Sequence, residues 1–335
     1  MRAEPVLVLA WLALAHLVAD FILQTEAMVE DKTHPGPRAW RGLLTHGAAV
    51  ALCLVPLAVA FGTRGLGLLV VVSISHVAID RWKVLATRGA EARALADAHR
   101  RHADTGVTSG LGPAWTPLPG ALFIADQLAH GVVSFGAWLV FVAFADLSPD
   151  FASAVDRVIG PVDRSSFHVA AVVGVVLLSL LIVNVRAASL FVATLVHPRQ
   201  VVSGEPEPDV VSEETAARRW WRLRFGPLVA TAETALASSE PPRGSADDAA
   251  AHGYASPARI GATIGVLERL LIVTFVLTNA TAAIGLVVGA KTLARFKQLD
   301  DRDFAEYYLL GTLASVAVAL GSALLADAAL ATVGM

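Results

Sequence analysis

The chain has 335 residues, 55% of them hydrophobic and only 16% charged, and a mean hydropathy of +0.61. That composition is too apolar for an ordinary soluble domain and indicates a polytopic membrane protein. A formal net charge of −3 lacks the basic excess that nucleic-acid binding requires, and the single cysteine, Cys53, excludes an intrachain disulfide or a CxxC zinc site.

About 20 apolar residues are needed to cross a bilayer. Runs of that order extend from Val6 to Leu23, Leu43 to Phe61, Leu66 to Trp82, Ala121 to Phe144, Phe167 to Val196 and Tyr308 to Ala331. In the first run, Ala13, Leu14 and Ala15 look like a signal-peptide cleavage site. However, Arg2 is the only basic residue ahead of it and the apolar character continues to Leu23, so it reads as a retained span. The region from Ile260 to Phe296 is too long for one span and is interrupted by Thr278, Asn279 and Thr281. A re-entrant hairpin of two short helices is the preferred reading, and two tilted spans the other.

The expected fold is an all-α transmembrane helix bundle of six to eight membrane segments. Residues 1–146 form an N-terminal four-helix bundle, and residues 147–202 a fifth span with an interfacial helix beginning near Val185, where Asn184 and Arg186 interrupt the run. Residues 203–258 form a connection, and residues 259–335 the hairpin and last span. Within the connection, Gly204 to Asp209 and Ser238 to Asp248 have linker composition. Between them Arg218 to Phe225, RRWWRLRF, mixes cations and aromatics as an anchoring segment at the headgroup layer does.

Lys and Arg cluster after the first span (Lys32, Arg38, Arg41), after the third (Arg81, Lys83, Arg88, Arg93, Arg100, Arg101) and after the fifth (Arg199, Arg218, Arg219, Arg222, Arg224, Arg243, Arg259). The positive-inside rule makes these connections cytoplasmic and leaves the N-terminus outside. Lys291, Arg295, Lys297 and Arg302 fall on the same side only if the hairpin enters and leaves on one face, which is the reason for preferring it.

Three His/Asp pairs share a four-residue spacing: His16/Asp20, His76/Asp80 and Asp126/His130. Four residues is about one helical turn, so each pair projects from one helix face as half of a metal site. With His46 they occupy the end, start, end and start of four successive spans. Alternating spans bring those seven residues to one depth whichever face is cytoplasmic. Ionisable groups in such segments are costly and therefore functional candidates. Nitrogen and oxygen ligands without thiolate suit a divalent zinc, manganese or iron ion. Gln24 and Gln127 are placed to orient ligands or bind a substrate carbonyl. Lys83, three residues after Asp80, is placed to pair with it, which would withdraw Asp80 from a metal. A single membrane histidine is more often an interhelical hydrogen-bonding residue, and His46 alone would carry no more than that. His34, His99, His102, His168, His197 and His252 fall in connections or at span edges and read as solvated.

The C-terminal half has its own polar set. Glu268 and Arg269 enter the hairpin, Asn279 marks its turn, Lys291 and Arg295 leave it, and Glu306 precedes the last span. Most read as snorkelling or structural charges; the sharper expectation is that Glu268 pairs with Lys291 or Arg295, fixing the hairpin or binding an anionic lipid head.

The strings HLVADFILQTEAMVEDK (His16 to Lys32), THG (Thr45 to Gly47), SHVAIDRWK (Ser75 to Lys83) and ADQLAHG (Ala125 to Gly131) resemble, in order, the pattern of an uncharacterised family of bacterial membrane proteins, domain of unknown function 3307. Ile264 to Leu277, Ala290 to Lys297 and Glu306 to Leu313 are similar to the C-terminal part of its longer members. The resemblance implies a bacterial inner-membrane protein and brings no activity. A fainter likeness, resting on His and Asp at span ends, is to membrane-bound metal-dependent hydrolases.

Two classes of function follow. One is a metal-dependent membrane hydrolase acting on a lipid-linked or membrane-associated substrate at the cytoplasmic leaflet. In it His16, Asp20, His46, His76, Asp80, Asp126 and His130 are ligands, with one of Asp20, Asp80 and Asp126 left free as general base. The other is a non-catalytic sensor or scaffold, or a metal or proton transporter, although the outer halves of the first four spans are nearly devoid of polar residues, against a transport path. No nucleophile elbow, P-loop, dinucleotide fingerprint or HExxH is present.

Overall fold

The computed structural model describes residues 4–105, 116–159, 164–196, 222–225, 228–231, 257–300 and 302–334. Helix α1 (Pro5–Val18) opens with Pro at its first turn, where a missing N–H costs nothing, and runs directly into a π-helical turn, Ala19–Leu23. A short helix α2 (Glu26–Thr33) is started by Thr25, whose hydroxyl accepts from Met28 N at 3.2 Å. Helix α3 (Arg38–Phe61) ends at Gly62, whose φ of 59° turns the chain sharply into α4 (Thr63–Thr105). Next come α5 (Leu118–Phe141) and α6 (Pro149–Ile159). Helix α7 (Arg164–Ile182) is joined through a second π-helical turn, Val183–Ala187, to α8 (Ala188–Val196). Last are α9 (Pro257–Leu277), α10 (Ala282–Ala294) and α11 (Arg302–Ala331).

The molecule is a multi-pass helical bundle. Among the described residues five helices are long and apolar enough to cross a membrane: Pro5–Leu23, Arg38–Phe61, Leu118–Phe141, Ser166–Val196 and Phe304–Ala331. Their outward faces are apolar, with Leu52, Val132, Val140 and Leu325 all exposed, as lipid-facing residues are and as a water-soluble surface rarely is. The segment Leu66 to Trp82, expected as the third span, is the first part of α4, a 43-residue helix about 65 Å long. That helix is not one of the five. Past Val185 the fifth run continues as helix: a π turn joins it to α8, and in that turn the amide of Asn184 donates to Leu180 O at 2.9 Å.

Helices α9 and α10 fold back on each other about Asn279, which adopts φ 57°. The 13 residues of α10 extend about 20 Å, short of a hydrocarbon core of about 30 Å. In the connection the described residues form a two-stranded antiparallel ribbon, β1 (Arg222–Phe225) and β2 (Leu228–Thr231), with Arg222 opposite Thr231. Part of the anchoring segment is therefore strand. Both linker segments, together with His197 and His252, lie outside the described residues.

Two apolar cores hold the helices together. Val8, Leu12, Ala15, Val50, Leu54, Leu57, Leu68, Val72 and Ala137 join α1, α3, α4 and α5. Val172, Val176, Leu180, Ile272, Val273, Val276, Ala319 and Ala323 join α7, α9 and α11. A smaller cluster of Leu14, Phe21, Val175 and Ile182 binds α1 to α7 and so unites the halves.

Candidate metal centre

His46 and His76 flank the Gly62 corner at nearly equal distances along antiparallel α3 and α4, so the hairpin alone sets them side by side. Gly47 permits that approach: a Cβ there would lie 2.6 Å from Val77 Cγ2. Asp20 falls in the π turn of the first span, where one extra residue per turn re-aims side chains; such turns recur at functional sites. Helix α5 completes the group with Asp126 and His130 on one face.

All seven residues expected at one depth meet in one cluster. His46, His76, Asp80, Asp126 and His130 are buried, Asp20 is nearly so, and His16 is the most accessible. At its heart lies a triangle of His46 Nε2, His76 Nε2 and Asp20 Oδ1, with edges of 2.9, 3.2 and 3.3 Å. Two ligand atoms on a tetrahedral ion with bonds of about 2.0 Å stand about 3.3 Å apart, so the triangle has the dimensions of one coordination face. Asp80 Oδ2 borders it, 3.7 Å from His46 Nε2 and 3.9 Å from His76 Nε2. His16, His76 and His130 form a second group, and Asp80, Asp126 and His130 a third, each with ligand atoms within 4.8 Å of one another. The rings of His76 and His130 lie 4.1 Å apart, centroid to centroid.

Hydrogen bonding decides the tautomer of His130. Its Nδ1 is 2.9 Å from the Asp126 carbonyl, which can only accept, so Nδ1 carries the proton. The lone pair of Nε2 is then left buried and without a hydrogen-bond partner. A buried acceptor of this kind is costly unless something binds it. Gln127 Nε2 donates to Asp126 Oδ2 at 2.9 Å and its Oε1 accepts from His16 Nε2 at 3.1 Å. Gln24 lies at the break before α2 and makes no hydrogen bond to the cluster.

Two lysines correct the expected charge pairing. Lys83 does not pair with Asp80: its Nζ donates to Asp126 Oδ2 at 2.7 Å. Asp80 instead pairs with Lys32 of α2, both side chains buried. Lys32 was read only as a topology-setting cation. No spacing signal marks it, because its partner is distant in the chain and α2 reaches the site by tertiary packing alone. Gly42 makes that packing possible. A Cβ there would be 2.6 Å from Lys32 N and 2.7 Å from Met28 O, both backbone atoms that cannot swing aside.

The remaining polar residues lie elsewhere. Lys291 Nζ donates to Glu268 Oε2 at 2.6 Å, the pair expected across the hairpin. Arg295 Nη1 donates to Gln298 Oε1 at 2.8 Å and Arg302 Nε to Glu306 Oε1 at 3.0 Å. Arg269 is buried and donates to Asn184 O, Ser315 Oγ and Ser189 Oγ. His34 is exposed and bonds Pro35 O, and His168 is half-buried away from the cluster.

Neither curated proteins nor solved structures match this chain. Residues 8–156, which hold most of α1, all of α2 to α5, most of α6 and all seven clustered residues, match the family model described as Protein of unknown function (DUF3307).

Proposed function

We propose that the cluster holds a divalent zinc, manganese or iron ion on Asp20, His46 and His76, and that the protein is a metal-dependent hydrolase of a lipid-linked or membrane-associated substrate. The observation that supports this best is the triangle of Nε2, Nε2 and Oδ1 atoms, a two-histidine, one-carboxylate set that leaves coordination positions open. Such an ion supplies Lewis acidity to a substrate oxygen and acidifies a water. Asp80, held by Lys32 beside the triangle, is the group placed to take a proton there. Lys83, 29% exposed, stands at the accessible side and suits an anionic group on the substrate. The basic connections around Lys32, Arg38 and Lys83 support a bacterial inner-membrane location with the N-terminus outside and the centre toward the cytoplasm.

The test is metal content by mass spectrometry on detergent-purified protein, wild type beside His76→Ala. About one ion per chain in the wild type, lost in the variant, supports the centre and justifies assaying phosphoester hydrolysis. A wild type that is metal-free and takes up no added metal sinks it. One observation favours a second reading: two imidazole Nε2 atoms 2.9 Å apart also have the spacing of a shared proton, as in a proton-carrying or sensing cluster. Transport fits less well, because the apolar core of Val8, Leu12, Val50, Leu54, Leu57 and Leu68 fills the bundle on the other side of the centre. Metal- or proton-dependent uptake by proteoliposomes would reverse this ranking.

A further inference from the structure

A cavity of about 470 Å³ opens between α8, α9, α10 and α11, apart from the His/Asp cluster. Four charged residues line it: Arg269, Lys291, Arg295 and Glu268. Lys291 offsets Glu268 at 2.6 Å. Arg269 is 3% exposed and its hydrogen bonds all go to neutral oxygens, at 2.7, 3.1 and 2.7 Å. Among the described residues neither Arg269 nor Arg295 forms an ion pair, so the cavity carries uncompensated positive charge. A buried cation without a counter-charge is expensive, more so in an apolar bundle. The hydroxyl of Tyr308, another lining residue, is buried without a hydrogen-bond partner and is available as a further donor. Val192, Val196 and Ile264 give the same cavity apolar walls.

We propose that this cavity binds the phosphate group of an amphiphile, with Arg269, Lys291 and Arg295 facing the phosphate and the apolar walls taking the start of the hydrocarbon chain. Arginine forks match phosphate oxygens, and a cationic floor beneath apolar walls matches a phosphorylated lipid better than a soluble anion. The Phe123 and Phe191 rings lie 5.8 Å apart where α5 meets α8, and Gly120 packs on Leu195, which sets Ser189 level with Asp126. The site therefore lies at the depth of the His/Asp cluster. It is independent of whether that cluster holds a metal.

The experiment is native mass spectrometry of the detergent-solubilised full chain with phosphatidylglycerol or phosphatidylcholine, and in a separate arm thermal unfolding with inorganic phosphate alone. Phosphatidylglycerol is expected to bind roughly tenfold more tightly than phosphatidylcholine. Lys291→Gln should weaken it about fivefold, whereas Glu268→Gln, which frees Lys291 from its carboxylate, should tighten it. These opposite shifts separate a phosphate site from a merely structural ion pair. Stabilisation by inorganic phosphate without lipid would support the same phosphate site and assign it to a soluble source. Equal binding of the two lipids with no effect of phosphate overturns the proposal, as does weakening by both substitutions alike.

Discussion

Lys32 shows how much one side chain contributes to the cluster. Its side chain is 6% exposed and that of its partner Asp80 8%, so each ion depends on the other for compensation. Removing one partner of a buried pair leaves an unpaired charge, at a cost of about 3–5 kcal/mol. Lys32→Met is therefore expected to lower the midpoint of SDS-induced unfolding markedly, and Lys32→Met with Asp80→Asn to recover most of the loss; equal loss in both would refute the pairing. Lys83 differs in degree, because Asp126 keeps Gln127 as a donor when Lys83 is removed. Lys83→Met should cost less than Lys32→Met in the same assay. The i,i+4 histidines and aspartates were legible because their partners repeat at a helical period. Lys32 was not, since its partner is defined only by how α2 docks.

At the scale of elements, that docking rests on a glycine. A methyl group at position 42 would meet the α2 backbone at 2.6 Å, so Gly42→Ala must push α2 off α3. Overpacking of this kind costs about 1–3 kcal/mol. Faster tryptic cleavage after Lys32 in Gly42→Ala, with overall helicity unchanged, is the expected result; unaltered cleavage would mean α2 is not held there. The two π turns are the other element-level devices, and they touch: Arg186 Nε of the second donates to Phe21 O of the first at 3.0 Å. Arg186→Met should speed hydrogen exchange of the amides of Ala19–Leu23, read by mass spectrometry, whereas unchanged exchange there would mean that the contact does not hold the turn. The sequence carried the first span through Asp20 to Leu23 and marked an interruption only at Asn184 and Arg186; it revealed neither π turn. An apolar run with one polar residue reads alike whether the helix stops or takes an extra residue into one turn.

For the whole molecule the untested quantity is orientation, and the lone cysteine makes it accessible. In a Cys53→Ser background, His34→Cys and Asp150→Cys sit in exposed positions at opposite ends of the bundle. The distribution of Lys and Arg predicts that an impermeant maleimide added to intact cells labels position 150 and spares position 34. The reverse pattern would invert the topology and move the His/Asp cluster to the outer face. The cluster's internal geometry would be untouched, because alternating helices bring its residues together in either orientation.

Composition and helical spacing by themselves determined that this is a membrane bundle, that its first four long helices carry three His/Asp pairs and His46, and that those residues share one depth. Hydropathy and the 3.6-residue period are local properties that survive in any packing. Tertiary structure alone decided which lysine neutralises which aspartate, that His130 presents a bare Nε2 lone pair, and that Arg269 lines a cavity whose one carboxylate, Glu268, is paired with Lys291. Each depends on contacts between residues distant in the chain, set by glycine-permitted approaches and π turns whose effect on direction no periodicity records.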